Sequence, residues 1–168
     1  MYLVGMMGVG KTTVGRALAT ELEYRFLDTD ELITRVTKQS VNELFATMGE
    51  PAFRQIETQV LAQVCAYTNR AVATGGGIVL RRENWSYLHH GLVVWLDVPI
   101  DILCDRLAAD TNRPLLKSGD LRTQLQTLLQ HRQSLYAQAD VRVSVKSDET
   151  PAQIATRILA EIPQVLKG

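Results

Sequence analysis

The eight residues GMMGVGKT, Gly5 to Thr12, constrain the fold of this chain more than any other stretch. They match G-x-x-x-x-G-K-[ST], after a short apolar run (YLV, 2 to 4) and before a segment of helical period. In that segment, KTTVGRALATEL at 11 to 22, Val14, Leu18 and Leu22 share a face. The glycines let backbone N–H groups turn inward as an anion nest, and the N-terminus of the following helix adds partial positive charge at the same spot. Lys11 is placed to reach β- and γ-phosphates, and Thr12 to offer its hydroxyl to Mg²⁺. Gly8, Val9, Gly10, Lys11, Thr12 and Thr13 are therefore the expected nucleotide-binding residues, whereas Met6 and Met7 read as packing. An ordinary glycine-rich turn would carry both the lysine and the threonine only by coincidence.

The rest of the chain supplies a matching frame. Apolar, β-rich runs recur at YRFL (24 to 27), AVAT (71 to 74), LVVWLDV (92 to 98) and VRVSV (141 to 145), separated by segments of helical period such as 55 to 66. In that last segment Ile56, Val60, Leu61 and Val64 fall on one face. Strands alternating with helices predict a parallel sheet wrapped by helices, because parallel strands need crossover connections. The runs are continuous rather than alternating, as expected of strands covered on both faces. A final helix is predicted over roughly 151 to 162, with Pro151 in its first turn after Asp148 or Thr150 as cap. Residues 110 to 120, DTNRPLLKSGD, form a polar, turn-rich stretch between helical patterns and read as a flap.

Size and charge narrow the function classes. A length of 168 residues suits one domain, and 18 basic against 18 acidic residues remove any bulk attraction to nucleic acid or acidic lipid. No apolar stretch approaches a membrane span and no leader is evident, so a cytoplasmic protein is expected. Cys65 and Cys104 lack metal-ligand spacing and are read as buried thiols. His89 and His90 precede Gly91 at a helix end, where basic side chains suit the C-terminus. Trp85, Tyr87 and Trp95 read as packing residues and Asp97 as structural.

A phosphate loop does not name a reaction. No NKxD segment for reading guanine is present, and the length leaves no room for a motor's track-binding parts. Downstream of the loop come Asp28 and Asp30 in FLDTDELI, PAFRQIE (51 to 57), TGGG (74 to 77), NRPLL (112 to 116) and HRQSLY (131 to 136). Either acid could simply cap the helix ELITRV, residues 31 to 36, or could serve a ligand as well. The TGGG run lies at a strand's carboxyl end, where open α/β sheets bind ligands and where glycine permits close backbone approach. Arg54, Arg113 and Arg132, taken singly, are as compatible with solvated surface charges as with a site.

The ordered run GMMGVGKTT, DTD, FR, TGGG, RPLL and R-x-x-LY, spread over nearly the whole chain, resembles the shikimate kinase family. The resemblance implies a three-layer α/β/α fold of P-loop kinase type, with a five-stranded parallel sheet, the phosphate-loop strand in its middle and a lid. It implies one kinase domain over 1–168, a phosphate loop at 5–12, a lid near 110–120, and ATP with Mg²⁺ phosphorylating the 3-hydroxyl of shikimate. Arg54 and Arg132 resemble the family's carboxylate clamp, for which the planar guanidinium fork is suited. Asp30 matches the acid that holds the acceptor hydroxyls, Asp28 the acid near Mg²⁺, and Gly76, between Gly75 and Gly77, the backbone contact to substrate. Arg113 resembles the lid arginine that closes on the phosphates, and KSDET (146 to 150) falls near the adenine position. Lys11, Asp30 and Arg113 are thus the expected catalytic residues, and Thr12 and Asp28 the metal side. Family members commonly carry several residues before the first strand, so a start at Met1 is expected to lower stability more than to alter chemistry. A cytoplasmic monomer (stromal, in a plastid) with no nucleic-acid or membrane partner is implied. A kinase of similar fold for gluconate or a nucleoside monophosphate, and a nucleotide-binding regulator without turnover, are the alternatives. The regulator should lack Lys11, Asp30 or an acceptor arginine, and none is missing.

Overall fold

The computed structural model describes residues 1–108 and 120–165. Within them the order is β1 (Tyr2–Val4), α1 (Lys11–Glu21), β2 (Arg25–Asp28), α2 (Thr29–Thr37), α3 (Val41–Val64), β3 (Arg70–Ala73) and α4 (Arg82–Leu88). It continues with β4 (Val93–Asp97), α5 (Ile100–Leu107), α6 (Leu121–Tyr136), β5 (Val141–Ser144) and α7 (Pro151–Val165). The strands form one parallel sheet in the order β2-β3-β1-β4-β5, with the phosphate-loop strand at its centre. From β1 the chain runs outward to β2, returns to β3, and then crosses to β4 and β5. Right-handed crossovers therefore put α1 and α7 on one face and α3, α4 and α6 on the other. The packing of α1 on α7, of α3 on α4 and of α5 on α6 agrees with three layers.

Burial explains which strands matched their expected pattern. β1 and Val93–Leu96 of β4 are wholly buried, while β5 alternates buried Val141 and Val143 with exposed Arg142 and Ser144. β2 contains no fully buried residue. The expectation of strands covered on both faces thus fails at the two edges, where a strand has one neighbour and its rim meets water. Leu3, Leu18, Ile33, Leu61, Leu96 and Leu103 are fully buried around the centre of the sheet. Each contributes about 1.5–3 kcal/mol, so the loop leaving β1 starts from the best-anchored part of the molecule.

Local chemistry sets the boundaries. α3 begins well upstream of the predicted 55–66, because Ser40 and Glu43 form a capping box: Glu43 N–H donates to Ser40 Oγ at 3.2 Å and Ser40 N–H to Glu43 Oε2 at 2.6 Å. The backbone then breaks at Gly49 (φ 78°, ψ 168°), just before Pro51, and the predicted segment is only the second half of α3. At α7 the cap is Thr150 rather than Asp148, since Gln153 N–H donates to Thr150 Oγ1 at 3.3 Å. His89 caps the end of α4, and Asp97 binds Arg142, with Nη2 to Oδ2 at 2.7 Å. Cys65 and Cys104 are free but only half-buried, not the buried thiols expected. No helix among the described residues is long and apolar enough to cross a membrane.

Candidate active site

The carboxyl ends of β1, β2 and β3 lie side by side, and each opens into one of the motifs: the phosphate loop, DTD and TGGG. This is the crevice that reversal of strand order creates in an open α/β sheet. At the first of them Gly10 takes φ 97°, a left-handed conformation that bends the chain into α1. α1 carries no side-chain cap, whereas α2, α3 and α6 are capped by Asp28, Ser40 and Asp120. The amides at the start of α1 are thus kept for an anion. Lys11 is buried and its Nζ donates to the carbonyls of Gly5 and Met6, both at 2.8 Å, which holds the ammonium across the loop. Arg106, from the last turn of α5, steadies the loop from the other side through Nη1 to the Val9 carbonyl at 3.1 Å. No spacing in the sequence marks Arg106. Met6 is core and Met7 packs against the core, as expected, and Met7 also lines both cavities of the site.

The two acids of DTD diverge. Asp28 is the last residue of β2 and the cap of α2: its Oδ1 accepts the N–H of Asp30 at 2.9 Å and of Glu31 at 3.3 Å. Its Oδ2 accepts the Thr12 hydroxyl at 2.8 Å, so cap and phosphate-loop contact are made by opposite oxygens of one carboxylate. Of the two acids that could cap this helix, Asp28 does so and Asp30 does not. Asp30 lies in the first turn of α2, because the strand stops at Asp28 and the helix begins at Thr29. Among the described residues no cluster of three or more His, Cys, Asp or Glu could hold a metal. The Thr12 and Asp28 oxygens form a small, hard donor set, which fits Mg²⁺ because that ion keeps several waters and takes further oxygens from phosphate.

On the other side of Asp30 is a cavity lined by Arg54, Glu57, Gly75 to Gly77 and Arg132, with Phe45 and Phe53 as its apolar wall. The two rings pack with centroids 4.5 Å apart. Arg54 is held twice: Nη1 donates to Glu57 Oε2 at 2.9 Å, while Nε and Nη2 donate to Glu50 Oε1 at 3.2 and 3.0 Å. Burial opposes its charge, yet the two glutamates outweigh burial and hold the guanidinium above its ordinary value. Glu57 is completely buried, and burial pushes its carboxyl up; Arg54 and Arg132 pull the other way and Asp30 adds to the rise. Its Oε1 finds no hydrogen-bond partner among the described residues. Arg132, also buried, donates from Nη1 to the Gly76 carbonyl at 3.2 Å. A Cβ on Gly75 would stand 2.6 Å from Glu57 Oε1 and 3.0 Å from Asp30 Oδ1, so the carboxylates pack where a side chain would be.

The structure thus brings Lys11, Thr12, Asp28, Asp30, Arg54, Gly75, Gly76, Gly77 and Arg132 to one crevice. Arg113 and all of the expected lid except Asp120 lie outside the described residues. Glu50, Glu57, Thr29 and Tyr136 join the site without having been singled out. Glu50 and Glu57 stand four before and three after Arg54, and Tyr136 four after Arg132, spacings that place side chains on one helix face. Met7, Asp30, Gly75 and Gly76 line both the phosphate-loop cavity and the arginine-lined one, so the two share a wall. Such a site can hold a polyphosphate on one side and a hydroxylated anion on the other, with Asp30 between them.

Comparison with known proteins agrees. The family model for shikimate kinase matches residues 7–163. A shikimate kinase of Nostoc sp. (strain PCC 7120) is 64% identical over 167 residues, which are 99% of this chain and 92% of that protein. One from Thermosynechococcus vestitus is 55% identical over 167 residues, covering 99% and 91%. Among solved structures, a shikimate kinase from Acinetobacter baumannii in complex with shikimate superposes with a TM-score of 0.90 at 38% identity, covering 97% of this chain and 92% of that one. By its sequence and by its fold, the chain belongs to the shikimate kinase family.

Proposed function

We propose that this chain transfers the γ-phosphoryl group of ATP to the 3-hydroxyl of shikimate, forming shikimate 3-phosphate on the route to chorismate and the aromatic amino acids. The observation that carries this reading is the wall shared at Asp30 between a phosphate nest and a cavity holding two buried guanidinium groups. Arg54 and Arg132 take the acceptor's carboxylate, each able to offer paired N–H donors. Asp30 and the Gly75 to Gly77 backbone take its hydroxyls and set one of them in line with the phosphoryl group. Asp30 can receive the hydroxyl proton, but a loose phosphoryl-transfer transition state asks more for positioning than for a strong base.

On the nucleotide side, the amides of Gly8 to Thr13 and Lys11 hold the phosphates. Thr12 and Asp28 would hold Mg²⁺, which when bound neutralises charge on the phosphates. Arg113, from a lid over roughly 110 to 120, closes on the transferring group, which excludes water and suppresses wasteful ATP hydrolysis. Lys146 to Thr150 lie near the adenine. The whole acts as one kinase domain, a monomer in the cytoplasm without nucleic-acid or membrane partners. An ADP-release assay with shikimate, gluconate and nucleoside monophosphates tests the acceptor. Turnover only with shikimate is expected; turnover with another acceptor and none with shikimate would refute the assignment.

A further inference from the structure

Two motif residues have no part in the chemistry above: the threonine inside DTD and the tyrosine that closes R-x-x-LY. Both are 0% exposed, and both bind the same short stretch of backbone. Thr29 Oγ1 accepts the Gly75 N–H at 3.0 Å. The Tyr136 hydroxyl donates to the Gly76 carbonyl at 2.6 Å, beside the Arg132 Nη1 bond to the same oxygen. Burial pushes the Tyr136 phenol up, which keeps it a donor.

The β2–β3 ladder ends at the pairing of Asp28 with Ala73. Beyond it the chain of β2 has turned into α2, and a buried Gly75 amide would have no backbone partner there. The hydroxyl of Thr29, between Asp28 and Asp30, takes the place of the missing carbonyl. A run of three glycines is the most mobile backbone a chain can offer, and no side chain of its own can pin it. At Gly75 the space for one is taken by the Glu57 and Asp30 carboxylates. The stretch is therefore held by hydroxyls brought from α2 and α6.

We infer that Thr29 and Tyr136 are positioning residues for phosphoryl transfer: their hydroxyls hold Gly75 and Gly76 from opposite ends and thereby fix the shared wall against Asp30 and Arg132. Transfer tolerates little misplacement of the acceptor, so loosening this wall lowers turnover without touching a reacting atom. The inference rests on the proposed acceptor-side placement of Asp30 and Arg132.

Thr29→Val, Thr29→Ser and Tyr136→Phe in the full chain test it, with shikimate and ATP varied separately and thermal melting measured alongside. Thr29→Val and Tyr136→Phe should each lower kcat/KM for shikimate roughly tenfold, the loss expected for one buried hydrogen bond. The KM for ATP should stay at its wild-type value, and Thr29→Ser should restore shikimate turnover. Because the two hydroxyls act on adjacent residues of one segment, the double variant should lose less than the product of the single losses. A lower Tm with wild-type kcat/KM for shikimate, or an equal rise in both KM values, overturns the inference. Arg132→Ala, run beside them, locates a failure. If it raises the shikimate KM while the hydroxyl variants keep the wild-type kcat/KM for shikimate, the positioning role alone is refuted. If Arg132→Ala leaves that KM unchanged, the acceptor-side placement falls and the inference with it.

Discussion

Replacing Arg132 by alanine should raise the KM for shikimate by about a hundredfold while leaving that for ATP near its wild-type value. The magnitude comes from the charges that line the cavity. Arg54 and Arg132 balance Asp30 and Glu57, so an incoming carboxylate meets a neutral wall. Without Arg132 the wall is negative before the acceptor arrives, and Arg54 is already shared between Glu50 and Glu57. Arg132 is 4% exposed, so water does little to screen the loss. Two unit charges 4 Å apart at an effective dielectric near 20 interact by about 4 kcal/mol, and truncating one partner of a buried charge pair costs about 2–5 kcal/mol. A central value of about 3 kcal/mol corresponds to roughly a hundredfold. Tyr136 still donates to the Gly76 carbonyl in this variant, so the backbone oxygen keeps a partner and the effect reports charge. Arg132→Lys should fall between the two, since it keeps the charge and loses the planar fork. Steady-state ADP release, with each substrate varied at saturation of the other, measures the effect. Equal loss of affinity for ATP and shikimate, or a fall in kcat with both KM values unchanged, would refute the argument.

The parts of this site that were legible in the sequence are those in which a motif is a continuous run. GMMGVGKT declares its own backbone geometry, and TGGG at the end of β3 declares a place where side chains are excluded. The architecture was legible too, because five β-rich runs separated by helical periods admit few arrangements once the phosphate loop comes after the first. What escaped depended on the helices. The first half of α3, with Phe45 on it, lies outside the helical segment 55 to 66, cut off from it by the break at Gly49, although Ser40 and Glu43 cap a helix ahead of that break. Which of Asp28 and Asp30 caps the helix was open in the sequence, because the strand's end is fixed by its neighbour's ladder, which stops at Asp28. Glu57 was the hardest to find: a glutamate in a helix of mixed polarity is usually a solvent-facing residue, and only the fold turns this one inward onto Arg54. The motifs supplied the cations of the site and Asp30, and the two glutamates that hold Arg54 stand one turn away from it on the same helix, where burial by the rest of the fold gives them their effect.

Two further substitutions separate duties that one carboxylate can combine. Asp28→Asn keeps an oxygen for the α2 amides, so its Tm should fall by only a few degrees, the equivalent of about 0.5–1 kcal/mol, while the Mg²⁺ concentration for half-maximal turnover rises on the order of tenfold. A lower Tm with an unmoved Mg²⁺ curve would leave Asp28 a cap alone. Glu57→Gln tests the buried carboxylate through pH. In the folded chain its carboxyl lies above the ordinary value, chiefly through burial, with Asp30 adding to the rise and Arg54 and Arg132 opposing it. A raised carboxyl pKa means that the folded state keeps its proton after the unfolded chain, whose value is about 4.3, has lost it. The stabilising effect of that proton is complete below the unfolded value and disappears as pH rises through the folded one. Wild-type stability should therefore decline across that window relative to Glu57→Gln, which has no proton to lose, and the difference should level off at higher pH. The loss of the Arg54 to Glu57 charge pair is expected to appear as an offset against this trend. Melting both proteins from pH 4 to pH 8 gives the comparison. A difference that moves the opposite way would mean that the two guanidinium groups, rather than burial, govern the carboxyl.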